Sequence, residues 1–163
     1  LGLSTSVAGY VCWLILFHRS KNVLVVATKL QSATNLVKKI KQIHKHLPDW
    51  LKIADISINN RTSFELSNAS QVKASSTSGD AGRSEALTLL IVDEAAFVRN
   101  FDELWMGLYP TLSTGGRAVI LSTPNGVGGQ YHKLYTDAVE GTNDFNPITL
   151  PWNVFFYCDV DLL

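Results

Sequence analysis

The chain has 163 residues, 46% of them hydrophobic and 17% charged, so it is long and apolar enough to bury one core, and disorder is excluded. Lys plus Arg and Asp plus Glu number 14 each, so any site for a polyanion must be local. The longest uncharged apolar run, residues 7–17, is shorter than the roughly 18 residues that span a bilayer, and no basic segment precedes it as in a signal peptide. We therefore expect a soluble protein without a membrane span.

The first part of the chain alternates helical periodicity with a short run of β-branched residues, which is typical of an α/β sheet covered by helices. Residues 5–18 are apolar nearly all round and predict a buried helix, and residues 22–28 predict a buried strand. Between 32 and 47 the apolar residues recur every three or four positions, which predicts an amphipathic helix. Its lysines give it a basic side, which we expect to be solvated rather than bound to DNA.

The middle of the chain predicts a small antiparallel unit followed by a buried strand. Residues 53–58 and 62–66 flank a turn sequence and predict a hairpin, with 71–75 as a third short strand. Residues 88–92 are continuously apolar, and two acids follow them at once. We expect these acids to lie at the carboxyl end of a core strand.

The last part of the chain repeats the pattern of strand and helix. Asn100 and Glu103 predict a capped start for a helix, and residues 118–121 predict a buried strand that runs into polar residues. Residues 130–140 predict the last clear helix, and 147–150 predict a last strand. The second polar strand end is expected to lie beside the acidic one.

The acidic strand end carries the chemistry that the sequence shows most clearly. In open parallel sheets, ligands bind outside the carboxyl ends of the strands. An apolar strand followed by Asp93 and Glu94 is typical of a Walker B strand, whose first acid holds magnesium, usually through water, and whose second polarises the attacking water. The alternative is a strand that ends in two solvated acids.

A second signal lies at the beginning of the chain. Gly2-Leu3-Ser4-Thr5 precedes the first helix, as the tail of a phosphate-binding loop does where backbone N–H groups face the phosphates. The Walker A pattern would have a lysine in place of Leu3. The alternative is that Ser4 or Thr5 only caps a core helix.

Residues 89–97 (LLIVDEAAF) and 119–126 (VILSTPNG), followed by an aromatic helix, resemble the ATPase motor of the large terminase subunit of tailed bacteriophages. The resemblance extends from Gly2 to Trp152. It implies an α/β P-loop NTPase with a mainly parallel, RecA-like sheet flanked by helices, and a small antiparallel excursion. The implied activity is ATP hydrolysis that drives phage DNA into a procapsid, with ATP and Mg²⁺ as cofactors.

The resemblance assigns roles to the residues that precede the first helix and to the acidic strand end. Gly2, Ser4 and Thr5 match the end of the phosphate loop, with Ser4 as the magnesium-binding hydroxyl and Thr5 as a phosphate contact. Asp93 resembles the Walker B acid that serves the metal, and Glu94 the catalytic base. Leu3 is then a tolerated departure, since some members of the family carry the basic residue near the start of the loop.

Two further assignments concern the coupling of hydrolysis to movement. Ser122 and Thr123 resemble the coupling motif, which senses the γ-phosphate. Arg83 matches an arginine that the family can offer to the ATP of a neighbouring subunit, where such a finger can raise the rate by about 10³ or more. The alternative is that Arg83 holds its own loop through a salt bridge to Asp80 or Glu85.

The resemblance also implies partners and a domain organisation. The partners are double-stranded DNA, the portal protein and the small terminase subunit, on a homo-oligomeric ring at the procapsid in the host cytoplasm. Residues 1–163 would form a partial ATPase domain that starts inside the phosphate loop, with a C-terminal nuclease domain outside this chain. Two alternatives stay open: a superfamily 2 helicase-like ATPase, and a non-catalytic interaction domain, for which Leu3 is the suggestive feature.

Overall fold

The computed structural model describes residues 2–77, 86–113 and 115–151. Its four helices and six strands lie close to the segments predicted from periodicity. The helices are α1 (Leu3–Phe17), α2 (Leu30–His46), α3 (Phe101–Leu108) and α4 (Gly129–Val139). The strands are β1 (Asn22–Ala27), β2 (Ile56–Asn59), β3 (Ser63–Leu66), β4 (Gln71–Ser76), β5 (Leu89–Asp93) and β6 (Arg117–Ile120).

The strands form one mixed sheet in the order β2-β3-β4-β1-β5-β6. Strand β1 pairs in parallel with β4 and β5, and β5 pairs in parallel with β6. The predicted hairpin of β2 and β3 is confirmed as an antiparallel pair. It is continuous with the main sheet because β4 is antiparallel to β3 and parallel to β1.

The sheet separates two apolar cores, because successive residues of a strand point to opposite faces. On one face, Val23 and Val25 of β1 pack with α1 and α2. On the other face, Leu24 and Val26 pack with residues of α3 and α4. This explains why β1 and β5 are almost uninterrupted apolar runs, since both faces of each strand are covered.

Two predictions from the last part of the chain were wrong. Residues 147–150 form no strand. Pro147 has no backbone N–H to donate to a sheet ladder, and this segment pairs with neither edge strand of the sheet, β2 or β6. Asn100 does precede α3, but its backbone is left-handed (φ 54°, ψ 42°) and its side chain makes no capping hydrogen bond.

The parallel strands place their carboxyl ends at one edge of the sheet. Beyond the last residue of β6, the N–H of Leu121 still donates to the carbonyl of Val92 at 2.8 Å, so the two chain segments leave the sheet side by side. The predicted polar strand ends are therefore neighbours. Among the described residues, no helix combines the length and the apolar character that a membrane crossing requires.

Candidate active site

A cleft of about 140 Å³ opens at the carboxyl ends of the strands, between the start of α1, one face of α2 and the end of β5. Three of the residues predicted to act on a magnesium nucleotide, Ser4, Asp93 and Glu94, line this cleft together. The remaining lining residues come from α2 and are Ser32, Asn35, Leu36 and Lys39. Residues that are far apart in sequence thus meet at the place where parallel sheets bind ligands.

The two acids occupy a sharp turn. Strand β5 ends at Asp93, and Glu94 then adopts a left-handed backbone (φ 57°, ψ 36°) before a short 3₁₀ turn, Ala95–Phe97. The N–H of Glu94 donates to Oδ1 of Asp93 at 3.0 Å. A left-handed conformation costs a residue with a Cβ roughly 1 kcal/mol or more, so the surrounding structure must hold Glu94 in place. We call residues 94–97 the Glu94 turn.

Asp93 is half-buried, and its electrostatic surroundings are mixed. Burial raises the pKa of its carboxyl group, the N–H of Glu94 lowers it, the charge of Glu94 raises it, and the charge of Lys39 lowers it. The net direction is upward. A cation placed beside this carboxylate would offset the cost of burying its negative charge.

The start of α1 leaves backbone donors free. Gly2 is left-handed (φ 68°), and its carbonyl accepts hydrogen bonds from the N–H groups of Thr5 and Ser6, both at 2.9 Å. The N–H groups of Leu3 and Ser4 lie before that point, where an α-helix offers them no carbonyl. Gly2 and Thr5 are exposed and lie beside the cleft without lining it.

The segment after β6 is bonded to the Glu94 turn. The Oγ of Ser122 accepts a hydrogen bond from the N–H of Ala96 at 3.0 Å and donates one to the carbonyl of Thr123 at 2.8 Å. The amide Nδ2 of Asn125 donates to the carbonyl of Ala96 at 3.1 Å. We call residues 122–125 the coupling segment. Neither Ser122 nor Thr123 lines the cleft, so this segment meets the site through the backbone of the Glu94 turn.

Two contributions to the site were missed by sequence reasoning. Asn125 lies in the segment 119–126 that carries the resemblance, but no role was assigned to it. Lys39 was expected on a solvated helix face, but it is half-buried and lines the cleft. A signal for Lys39 was present in the spacing of the α2 residues 32, 35, 36 and 39, which share one helix face.

Arg83 belongs to residues 78–85, which lie outside the described residues together with its proposed salt-bridge partners Asp80 and Glu85. Among the described residues, Cys12 is a buried free thiol in α1. Burial raises the pKa of Cys12 to about 11, so its thiol is protonated at neutral pH.

Residues 1–156 match a protein family described as terminase large subunit, T4likevirus-type, N-terminal. The chain belongs to this large terminase subunit family. Membership decides against the helicase-like alternative, and it agrees with the expectation drawn from residues 89–97 and 119–126. The match covers nearly the whole chain, including both sides of the cleft.

Solved structures of large terminases share the fold. The large terminase of bacteriophage HK97 superposes with a TM-score of 0.71 at 16% identity over 87% of this chain and 31% of that one. The ATPase domain of the Thermus phage P74-26 large terminase gives 0.62 at 21% identity over 78% and 57%. The large terminase of a thermophilic bacteriophage, solved in complex with ADP, gives 0.58 at 14% identity over 86% and 34%. The chain thus spans between about a third and just over half of the length of these proteins.

Proposed function

We propose that the chain is the core of the ATPase part of a phage DNA-packaging motor, which hydrolyses ATP to move double-stranded DNA into a procapsid. The observation that carries this proposal is the meeting of Ser4, Asp93 and Glu94 in one cleft. Membership of the large terminase subunit family supplies the biological setting. The relative from the thermophilic bacteriophage was solved in complex with ADP, which supports a nucleotide as the ligand.

The cleft residues fit a magnesium ion. A hydroxyl oxygen and a carboxylate are the hard oxygen ligands that Mg²⁺ takes, and the ion keeps several of its waters. Ser4 and Asp93 would hold it, since both of these oxygen-bearing residues line the cleft together. When bound, the ion neutralises charge that develops on the phosphate oxygens.

Glu94 is assigned to the attacking water. Glu94 follows Asp93 in the chain, and its side chain is exposed, so a water can reach its carboxylate. The carboxylate accepts a proton as the water oxygen bonds to the γ-phosphorus and the bond to the β–γ bridging oxygen breaks, which gives ADP and phosphate. The backbone donors at the start of α1 face the phosphates of the same nucleotide.

The remaining roles follow from the family resemblance. Ser122 and Thr123 pass the state of the nucleotide on, and the hydrogen bond of Ser122 to the Glu94 turn supplies a physical route. Arg83 serves a neighbouring subunit in a homo-oligomeric ring. Residues 1–163 are then part of a larger protein with a nuclease domain, which works with the portal protein and the small subunit in the host cytoplasm.

The proposal is tested by substituting Glu94 in the complete motor protein that carries this sequence. Glu94→Gln is isosteric and keeps the metal side of the cleft intact, so it should retain Mg-ATP binding and lose about 10²-fold or more of the turnover. Glu140→Gln, an exposed glutamate at the end of α4, is the matched control and should behave as wild type. Turnover and nucleotide affinity are measured together. Wild-type turnover in Glu94→Gln would contradict the assignment.

A further inference from the structure

The face of α2 that lines the cleft is chemically suited to a nucleotide's terminal phosphate. Ser32, Asn35 and Lys39 follow one another at positions i, i+3 and i+7, so their side chains project from the same side of the helix toward Asp93 and Glu94. We propose that Lys39, assisted by Asn35, binds the γ-phosphoryl group of ATP during its transfer. The proposal rests on the proposed function, because it assigns a role to further residues that line the same cleft.

Charge balance singles out Lys39. Among the described residues that line the cleft, it carries the only positive charge, against the two carboxylates of Asp93 and Glu94. Magnesium ATP brings about two further negative charges. Lys39 makes no salt bridge with a carboxylate in the described part of the chain, where the ion pair present joins Lys52 to Asp49. Its ammonium group is therefore available to a ligand.

Asn35 is held with its donor available. The Oδ1 of Asn35 accepts a hydrogen bond from Nε2 of Gln31 at 2.9 Å, and Oε1 of Gln31 accepts one from the guanidinium of Arg61 at 2.6 Å. This relay starts at the turn between β2 and β3 and ends in the cleft. Since the amide oxygen is already engaged and Asn35 lines the cleft, the Nδ2 group is the part of the side chain left to donate to an acceptor such as a phosphate oxygen.

Hydrogen-bond donors at this place would stabilise the charge that develops during phosphoryl transfer. In phosphoryl transfer the charge is spread over the three equatorial oxygens of the γ-phosphoryl group, and catalysis consists largely of positioning and charge stabilisation. Lys39 donates a hydrogen bond to one of these oxygens, while Glu94 takes the proton of the water. Lys39 supplies this positive charge from the face of α2 that lines the cleft.

The experiment compares Lys39→Gln, Lys39→Arg and Lys38→Gln in the complete motor protein. Lys38 is the exposed neighbour on α2 and provides the matched control. Turnover is measured together with the affinities for ADP and for ADP with aluminium fluoride, which mimics the phosphoryl group in transfer. Lys39→Gln should lower turnover by about 10²-fold, as the loss of one donor to a developing charge does. It should weaken the aluminium fluoride complex at least about tenfold and leave ADP binding within about twofold, while Lys39→Arg recovers most of both losses.

The affinities of Lys39→Gln for ADP and for its aluminium fluoride complex decide whether the proposal holds. If Lys39→Gln weakens ADP and its aluminium fluoride complex equally, Lys39 only balances the cleft carboxylates and the inference is wrong. If the wild-type protein binds no nucleotide, the proposed function itself fails. Should Lys39→Gln not fold, Asn35→Asp replaces an exposed donor by a carboxylate, and it should again weaken the aluminium fluoride complex more than ADP. An unchanged ratio of the two affinities in Asn35→Asp would then overturn the proposal.

Discussion

The hydrogen bond from Asn125 to Ala96 provides a sharp test of how the coupling segment acts on the site. Asn125→Ala removes the Nδ2 donor at 3.1 Å and leaves the remaining bonds between the two segments in place. Asn125 is exposed, so the net value of this bond is about 1 kcal/mol. That corresponds to about a fivefold shift between held and released states of the Glu94 turn. If only the held state hydrolyses ATP, turnover falls by up to about fivefold.

Ser122→Ala should have a larger effect. It removes the acceptor of the Ala96 N–H, which is partly buried, and an unsatisfied donor of this kind costs about 1–3 kcal/mol. Because Ser122 and Asn125 hold the same turn, the double variant should lose less than the sum of the single variants. Such non-additivity is expected when two hydrogen bonds hold the same turn.

The assay is steady-state ATP hydrolysis by the complete motor protein, with kcat and KM determined separately. Neither Asn125 nor Ser122 lines the cleft, so both substitutions should lower kcat while leaving KM within about twofold. The control is Asn143→Ala, which lies beyond the end of α4 and removes a similar bond from Nδ2 to the carbonyl of Leu134 at 2.9 Å, together with the bond from the N–H of Phe145 to Oδ1 at 2.9 Å. Equal kcat values for Asn125→Ala and Asn143→Ala would refute this reasoning.

Further predictions concern stability and are read from urea unfolding. His44 is 4% exposed, and burial lowers its pKa below the ordinary 6.5. The contribution of neutral His44 to the free energy of unfolding is therefore complete above about pH 6.5 and is lost as the pH falls through the lower pKa of the folded state. His44→Leu should remove this loss of stability between about pH 7.5 and 5.5. His46→Leu, at an exposed position, should keep it. Gly9→Ala should raise the free energy of unfolding by about 0.5–1 kcal/mol, because a Cβ in this helix position meets nothing within 4 Å. Gly116→Ala should lower it by about 1–3 kcal/mol, because its Cβ would lie 2.2 Å from the carbonyl oxygen of Leu87; equal effects at the two glycines would contradict the packing described.

The elements of the fold were predictable wherever the apolar pattern had one dominant period. The run that became β5 is apolar on both faces, and the three- and four-residue spacing of α2 leaves one clear apolar side. The ends were less predictable, because they depend on backbone geometry. Helix α1 starts at Leu3 rather than at residue 5, since the left-handed Gly2 already turns its carbonyl toward the first turn.

The failures have local causes. Asn100 was expected to cap α3 with its side chain, but a left-handed backbone turns the side chain away from the first-turn N–H groups. Residues 147–150 are apolar and β-prone, yet a strand also needs a neighbouring strand to pair with, and this segment lies along neither edge of the sheet. Such a neighbour is a tertiary property that a local pattern does not contain.

The candidate site also contains residues that were predictable from the sequence and residues that were not. Ser4, Asp93 and Glu94 could be placed together from sequence because each follows or starts an element whose direction in a parallel sheet is constrained. The spacing of α2 puts Lys39 on one helix face with residues 32, 35 and 36, but whether that face meets the cleft depends on how α2 packs against β1 and β4. Asn125 depends on a single hydrogen bond between two loops, which no periodicity announces.

The central claim is that Ser4, Asp93 and Glu94 form one magnesium nucleotide site. The most direct measurement is a structure of the complete motor protein with Mg²⁺, ADP and beryllium fluoride. We expect the metal about 2.1 Å from Oγ of Ser4, with Asp93 bound to it directly or through one water, and Glu94 beside the water that faces the fluoride. A nucleotide bound elsewhere, with Asp93 and Glu94 facing only solvent, would contradict the claim.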